Sequence, residues 1–315
     1  MSALVIGTRG SQLAIWQAEY IAGRLRAQWP GLTVSLQFFT TQGDRIQDKP
    51  LPQIGGKGLF TAELEEALRQ GAIQLAVHSL KDLPTDLAPE FTIGAIPERA
   101  PVADVLISRQ GYTLHTLPLG AVVGTSSLRR SAQVKALRPD IVIQPLRGNV
   151  PTRVQKALAA DGGYDAIVLA HAGLERLGLD APITEVLPLD VMLPAPAQGA
   201  LGVQCRTDDA QTRVWLAPLD HQPTRLGVEA ERAFLNALDS GCRLPVAAYG
   251  HFEADQLHLI GRVISLDGTQ TITVSQAQAV TESTQATALG QALAREAIQR
   301  GADALLDAVR AEVKP

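Results

Sequence analysis

Cysteine is almost missing from this chain: 315 residues carry two, Cys205 and Cys242. That excludes a disulfide-built scaffold and is too few for a self-contained four-thiolate metal site. No run of 18 apolar residues occurs, so no segment is expected to span a bilayer. The opening MSALVIGTRGSQLA lacks a basic stretch ahead of an apolar one and reads directly as a strand, not an export signal. Excess charge is scarce as well. The 28 basic and 32 acidic side chains leave −4, which argues against a generic nucleic-acid coat or a polybasic membrane binder. Low-complexity tracts and repeats of solenoid length are absent.

What is present is core material. Hydrophobic residues make up 46% of the chain and charged ones 19%, enough for packed cores in two average domains or three small ones. The expectation is a soluble, cytoplasmic, globular protein, most simply an enzyme.

Along the first half, short apolar runs alternate with amphipathic stretches. Ala3–Thr8 reads as a strand and Ser11 opens a helix with apolar positions at helical spacing. Thr33–Thr40 is a strand, Leu59–Arg69 a helix, and Ile73–Val77 a strand running into His78-Ser79. The pattern restarts with strand Ala121–Gly124, helix Ser127–Leu137, strand Ile141–Gln144, helix Pro151–Ala160 and strand Ala166–Ala170. Alternation of this kind indicates α/β layers with mostly parallel sheets. Two echoes suggest related halves: Gly7-Thr8 with Gly124-Thr125, and Leu75–His78 with Val168–His171. Proline-rich Glu98–Ala103 and Leu187–Ala197 read as linkers. The last third changes character, with a helix over Thr224–Leu238, strands near Val246–Phe252, Leu257–Ser265 and Thr271–Ser275, and a long closing helix, Gln285–Val309. That grouping indicates a separate α+β domain.

The charge is unevenly spread. Between Ala121 and Lys156 stand Arg129, Arg130, Lys135, Arg138, Arg147, Arg153 and Lys156, against Asp140 alone. Those 36 residues carry +6 and the remaining 279 carry −10. Gly124-Thr125-Ser126-Ser127 and Arg147-Gly148-Asn149 both lie between a strand and a helix start, where free N–H groups and hydroxyls meet anions. A solvated basic face is the plainer reading. A nucleic-acid patch lacks the interleaved aromatics that stack bases. A polyanionic small molecule fits best, because the arginine fork matches carboxylates in pairs.

Other motifs are weaker alone. Gly55-Gly56-Lys57-Gly58 lacks the Ser or Thr that must follow the lysine of a phosphate loop, although its glycines suit a loop carrying Lys57 to a ligand. Cys242 stands in Asp239-Ser240-Gly241-Cys242-Arg243-Leu244-Pro245, a turn that holds it out of regular structure, with Arg243 favouring thiolate. Taken alone, a cysteine in such a turn is structural more often than not. Cys205 lies in an apolar run and reads as a buried small hydrophobe. His78-Ser79-Leu80-Lys81-Asp82 follows a strand's carboxyl end, where α/β sheets gather ligands. His78 and His171 have no further ligands at metal spacing and read as hydrogen-bonded near-core residues. No metal is expected.

Taken in order, these segments resemble the porphobilinogen deaminase (hydroxymethylbilane synthase) family. The resemblance runs through Gly7–Ser11, Gly55–Phe60, Ala76–Asp82, Gly124–Arg130, Leu146–Val150, Tyr164–Ile167, Gln198–Ala200, Glu231-Arg232 and Gly241–Pro245, nearly the whole chain. It implies three domains: 1–99 with 198–218, and 103–192, both α/β and similar to type-II periplasmic binding proteins, then a small α+β domain, 223–315. It implies a transferase of haem and chlorophyll biosynthesis that joins four porphobilinogen molecules head to tail, releasing ammonia, and frees hydroxymethylbilane by hydrolysis. It also implies a dipyrromethane cofactor held by a thioether to Cys242, and Asp82 as the catalytic carboxylate.

Primer and four added rings together carry twelve carboxylates, more than the seven local cations can match. The resemblance assigns binding of cofactor and substrate to Arg9, Ser11, Lys57, Phe60, Ser79, Lys81, Thr125, Ser126, Ser127, Arg129, Arg130, Arg147, Gly148, Arg153, Arg176, Gln198 and Gly199. Phe60 packs either on a pyrrole or in the core. Hinge motion at the two linkers is expected to make room for the growing chain. A monomer without nucleic-acid or membrane partners is implied. The chain departs from the family at Gly10, where a basic residue is frequent, at His171 and at Leu244. A non-enzymatic clamshell receptor for a polycarboxylate shares the α/β domains but gives Cys242 no work, and a cysteine hydrolase lacks an identifiable Cys–His pair.

Overall fold

The computed structural model describes residues 3–45, 59–238 and 244–312. Lys57 and Cys242, with the segments around them, lie outside the described residues.

In chain order the first unit begins with β1 (Ala3–Arg9), α1 (Gln12–Gln28), β2 (Thr33–Phe39), a short α2 (Gln42–Arg45), α3 (Ala62–Arg69), β3 (Leu75–Ser79) and β4 (Phe91–Ala95). Helix α1 starts where expected because the Ser11 hydroxyl accepts from the Ala14 N–H, satisfying one of the donors a helix start leaves free. Its Ala14, Ala18, Ile21, Ala22 and Leu25 are buried. The chain then crosses to β5 (Asp104–Ile107), β6 (Val122–Gly124), α4 (Leu128–Leu137), β7 (Val142–Gln144), α5 (Val150–Leu158), β8 (Ala166–Ala170), α6 (His171–Glu175) and β9 (Glu185–Val186). Ser127 caps α4 and Asn149 caps α5, each accepting from an N–H of the first turn. The chain next returns through β10 (Leu201–Arg206) and α7 (Ala210–Leu216), and the Trp29 indole N–H bonds the Trp215 carbonyl at 3.1 Å to hold the returning segment.

The two sheets have one topology. The first runs β2-β1-β3-β10-β4 and the second β7-β6-β8-β5-β9. In each, the second strand, β1 or β6, is parallel to both neighbours. The fourth position is filled antiparallel by a strand entering from the other half of the sequence, β10 in the first and β5 in the second. This reciprocal exchange is the type-II periplasmic-binding-protein arrangement, and it places two crossing segments side by side. The Ala100 N–H bonds the Gly199 carbonyl between them at 3.2 Å. Gly199 has φ +84°, and a Cβ there would lie 2.5 Å from the Ala100 carbonyl, so the crossing tolerates only glycine.

The last third contains α8 (Gln222–Ala237), β11 (Val246–Glu253), β12 (Gln256–Ile264), β13 (Thr271–Ala279), α9 (Ser283–Gln299) and α10 (Ala302–Glu312). The antiparallel sheet β11-β12-β13 packs on α8 and α9 around Phe234, Leu259, Leu289 and Leu293. The single closing helix expected over Gln285–Val309 is two helices. Gly301 adopts φ +96° and its N–H bonds the Ile298 carbonyl, the left-handed stop that glycine gives a helix end. Strands β4, β5, β9 and β10 were not anticipated either. They are short, and β5 and most of β10 are buried, so no alternation marks them.

Candidate active site

The site lies where β3 ends and the two crossing segments meet. Beyond Ser79 the chain makes a 3-10 turn, Leu80–Asp82. Leu80 and Leu83 are buried, while Asp82 is exposed. Three bonds from Arg232 of α8 hold this turn, to the carbonyls of Leu80 (3.3 Å), Leu83 (3.0 Å) and Pro84 (2.6 Å). The Leu80 N–H also reaches the Ala200 carbonyl at 3.0 Å.

Behind the turn runs a polar chain. Lys81 Nζ donates to Gln198 Oε1 at 3.2 Å, and Gln198 Nε2 donates to Asp104 Oδ1 and to the Val102 carbonyl, both at 2.8 Å. Asp104, wholly buried on β5, takes Arg130 Nη2 at 2.8 Å on Oδ1 and faces Arg129 Nη1 at 2.7 Å on Oδ2. Burial opposes its ionisation, yet the two guanidiniums hold its carboxyl well below the usual carboxylate range. On the other side of Gln198, its backbone carbonyl accepts from Arg99, and Arg99 forms a two-pronged pair with buried Glu231 of α8 at 2.6 and 3.0 Å. The crossing segments are therefore tied to both sheets and to the third unit.

Between the sheets opens a cleft enclosing about 90 Å³, lined by Leu13, Ser79, Lys81, Arg130, Val150, Arg153, Leu169, Ala170, Ala172, Gly173, Arg176, Gly199 and Ala200. Four cations and no acid stand in that lining. Burial pushes Arg153 and Arg176 down to about 10 and Lys81 to about 8, with Arg130 adding to the effect on Lys81 and Arg153. Asp82 works the other way on both Lys81 and Arg153, so the carboxylate is electrostatically in touch with the cleft. An excess of half-desolvated cations is costly unless anions join them. The donor set therefore fits a ligand carrying several carboxylates.

Of the residues expected at the site, the structure brings Ser79, Lys81, Arg130, Arg153, Arg176 and Gly199 into this one lining. Gln198 and Arg129 stand behind it in the polar chain. Ser79 Oγ accepts from Gln17 Nε2 at 2.8 Å. Arg9 pairs with Asp44 and lies 4.3 Å from the Phe60 ring centre, so Phe60 is neither simple core nor bare cleft wall. Ser11 and Ser127 cap helices, Thr125 is buried with its hydroxyl accepting from the Ser127 N–H, and the Ser126 hydroxyl bonds Leu146 backbone. Gly148 turns the chain into α5 at φ +118°, and Arg153 Nε donates to its carbonyl at 2.8 Å. Arg147 is half-buried beside Arg153.

The basic segment itself divides. Arg138 is bound to Asp140 and to the carbonyls of Leu114, His115, Leu117 and Pro118, a structural clamp remote from ligand work. Lys135 and Lys156 lean on backbone carbonyls. His78 is buried against Gln204, and burial lowers it to about 4. His171 contacts Asp180 at 3.3 Å. Cys205 is buried, which raises its thiol to about 11 and leaves it inert. No cluster of three metal-ligating side chains occurs among the described residues, and no described helix is long and apolar enough to cross a membrane.

Sequence reasoning missed Asp104, Arg99 and Gln17. Asp104 alone carried a signal: an acid opening an otherwise apolar Val105–Ile107 run has to meet a buried cation.

Residues 4–214 match the family "Porphobilinogen deaminase, dipyromethane cofactor binding domain", and residues 226–299 match "Porphobilinogen deaminase, C-terminal domain". The chain is 49% identical over 303 residues to the porphobilinogen deaminase of Roseiflexus sp. (strain RS-1), covering 96% of this chain and 98% of that one. It is 48% identical to that of Maridesulfovibrio salexigens, covering 98% and 99%. Among solved structures it is similar to the periplasmic aliphatic sulphonate binding protein SsuA from Escherichia coli, at TM-score 0.39 and 18% identity over 76% of this chain and 71% of that one.

Proposed function

The chain belongs to the porphobilinogen deaminase family, and from that premise we propose that Asp82 and Cys242 serve one repeated reaction in the cleft between its two sheets. The enzyme joins four porphobilinogen molecules head to tail with loss of ammonia, a step of tetrapyrrole biosynthesis, and carries a dipyrromethane cofactor. The cofactor, when bound, supplies the nucleophilic pyrrole carbon that receives the first substrate. Its attachment point is Cys242, whose soft thiolate forms a C–S bond that resists hydrolysis.

Porphobilinogen loses its amino group only if the cation left on the pyrrole is stabilised. Asp82 does this by accepting a hydrogen bond from the pyrrole N–H, a fixed negative group where positive charge develops. The same carboxylate takes part in moving a proton to the departing amine and removing one from the coupled ring. Lys81, Arg130, Arg153 and Arg176 hold acetate and propionate groups, and Gln198 and Asp104 keep Lys81 and Arg130 aimed at the cleft. One acid serves every cycle because the chemistry repeats. The division of labour over 1–99 with 198–218, 103–192 and 223–315, hinge motion at the crossing segments, and a cytoplasmic monomer belong to the same proposal.

The observation that carries this reading is the four-cation, acid-free lining beside Asp82. The Asp82→Asn variant tests it. It should fold and keep its cofactor yet release ammonia from porphobilinogen at least about a hundredfold more slowly, and near-normal release would remove Asp82 from the chemistry.

A further inference from the structure

On α1, Leu13, Trp16, Tyr20 and Arg24 follow one another at the three- and four-residue spacing of a single helix face. Leu13 lines the cleft, and the other three lead away from it. The Trp16 and Tyr20 rings stack 5.3 Å apart at 6°. The Arg24 guanidinium stands 5.8 Å from the Tyr20 ring centre and donates to its hydroxyl at 2.9 Å.

An aromatic pair of this spacing is by itself ordinary helix packing. Here a residue from the opposite wall joins it. Arg176, buried and next to α6, lies 5.8 Å from the Trp16 ring centre while its Nη2 donates to the Gly199 carbonyl in the cleft lining at 2.7 Å. One guanidinium therefore spans the cleft wall and the start of the column. Trp16 is 36% exposed, whereas half-buried Tyr20, like Trp29 and Trp215, packs against the first core.

The enclosed space of the cleft, about 90 Å³, is below that of an ordinary small-molecule pocket. A chain of six pyrroles bearing twelve carboxylates is several times larger, so its later rings need another surface. We propose that the Trp16–Tyr20 column, flanked by Arg176 and Arg24, is a subsite outside the cleft for the outer rings of the elongated oligopyrrole. The exposed part of the indole offers an edge-or-face partner for a pyrrole, and the two guanidiniums take the carboxylates carried on those rings. The inference rests on the reading that the cleft holds an oligopyrrole.

The test uses the cofactor-loaded enzyme with Trp29→Phe and Trp215→Phe, leaving Trp16 as the sole tryptophan. Porphobilinogen is added stepwise while intact mass counts the units gained and Trp16 emission is recorded. Emission should stay near its starting value through the first two additions and be quenched as the third and fourth appear. In the otherwise unchanged chain, Trp16→Ala should lower the fraction carrying three or four added units about fivefold, leave the first two additions intact, and be rescued by Trp16→Phe. Constant emission across a complete ladder, or an unchanged ladder in Trp16→Ala, overturns the subsite and leaves the cleft reading standing. A ladder that never forms overturns both.

Discussion

Arg232, on the helix that leads toward the cysteine-bearing segment, donates through Nη2 to the Pro84 carbonyl at 2.6 Å. With its bonds to Leu80 and Leu83, and beside the packing of Val228 on those two leucines, it ties the turn holding Asp82 to the third unit. A guanidinium bonded to three carbonyls of one turn fixes that turn more tightly than a lysine could.

Removing that link should misplace the carboxylate without discharging it. Arg232→Ala is expected to lower kcat by at least about tenfold with a smaller change in KM, and to keep its cofactor by intact mass. Arg232→Lys should recover part of the rate. Equal kcat in Arg232→Ala and the unaltered enzyme would detach the third unit from the catalytic turn.

Lys81 predicts a pH limb. Burial, with Arg130 nearby, brings it down to about 8, so the charge that meets a substrate carboxylate is lost as pH rises through about 8. KM for porphobilinogen should climb above that pH, and Lys81→Arg should flatten the climb. The stability sign is opposite. The folded value lies below the ordinary lysine value of about 10.4, so folding is penalised below about pH 8 and the penalty fades between the two values. A KM that is level from pH 7 to 9 contradicts the role.

Asp104 predicts a stability loss. Asp104→Ala strands Arg129 and Arg130 in a buried site and should cost about 3–5 kcal/mol, measured by denaturant unfolding. Because its folded value is depressed, its contribution is complete above the unfolded value of about 3.9 and is lost as pH falls through the lower folded one. The Tm difference between Asp104→Asn and the unaltered chain should therefore be full at pH 6 and shrink under strong acid.

Arg153 and Arg138 should part company despite their shared basic segment. Arg153→Ala is expected to raise KM about tenfold with Tm nearly unchanged, since its guanidinium lines the cleft. Arg138→Ala should lower Tm and leave KM alone, since its fork is committed to Asp140 and to loop carbonyls. The reverse assignment would mean that the cleft has been placed wrongly.

That contrast marks how far the sequence was legible. Periodicity revealed α1, α4 and α5, with Ser11 and Ser127 at the starts of the first two; the cap by Asn149 became visible only in the structure. The doubled strand–helix pattern revealed two α/β units. Buried strands such as Val105–Ile107 and Leu201–Cys205 carry no alternation, so β5 and β10 went unread, and only the return of 198–218 to the first unit was reachable, through the family resemblance. The charge count between Ala121 and Lys156 pointed to an anion, but sequence cannot tell Arg153, which faces the cleft, from Arg138, which folds back on its own loop. Nor can it pair Asp104 with residues 25 and 26 positions away, because that pairing exists only once the crossing segments meet.

The central claim is that the chain builds its product on a cofactor carried by Cys242, and intact mass tests it most directly. Protein purified from a porphyrin-making host should exceed the mass of the bare sequence by one dipyrromethane. The excess should map to Cys242 and not Cys205, vanish in Cys242→Ala, and grow by up to four equal increments with porphobilinogen. A protein at its bare mass, or one that processes porphobilinogen normally as Cys242→Ala, would contradict the account.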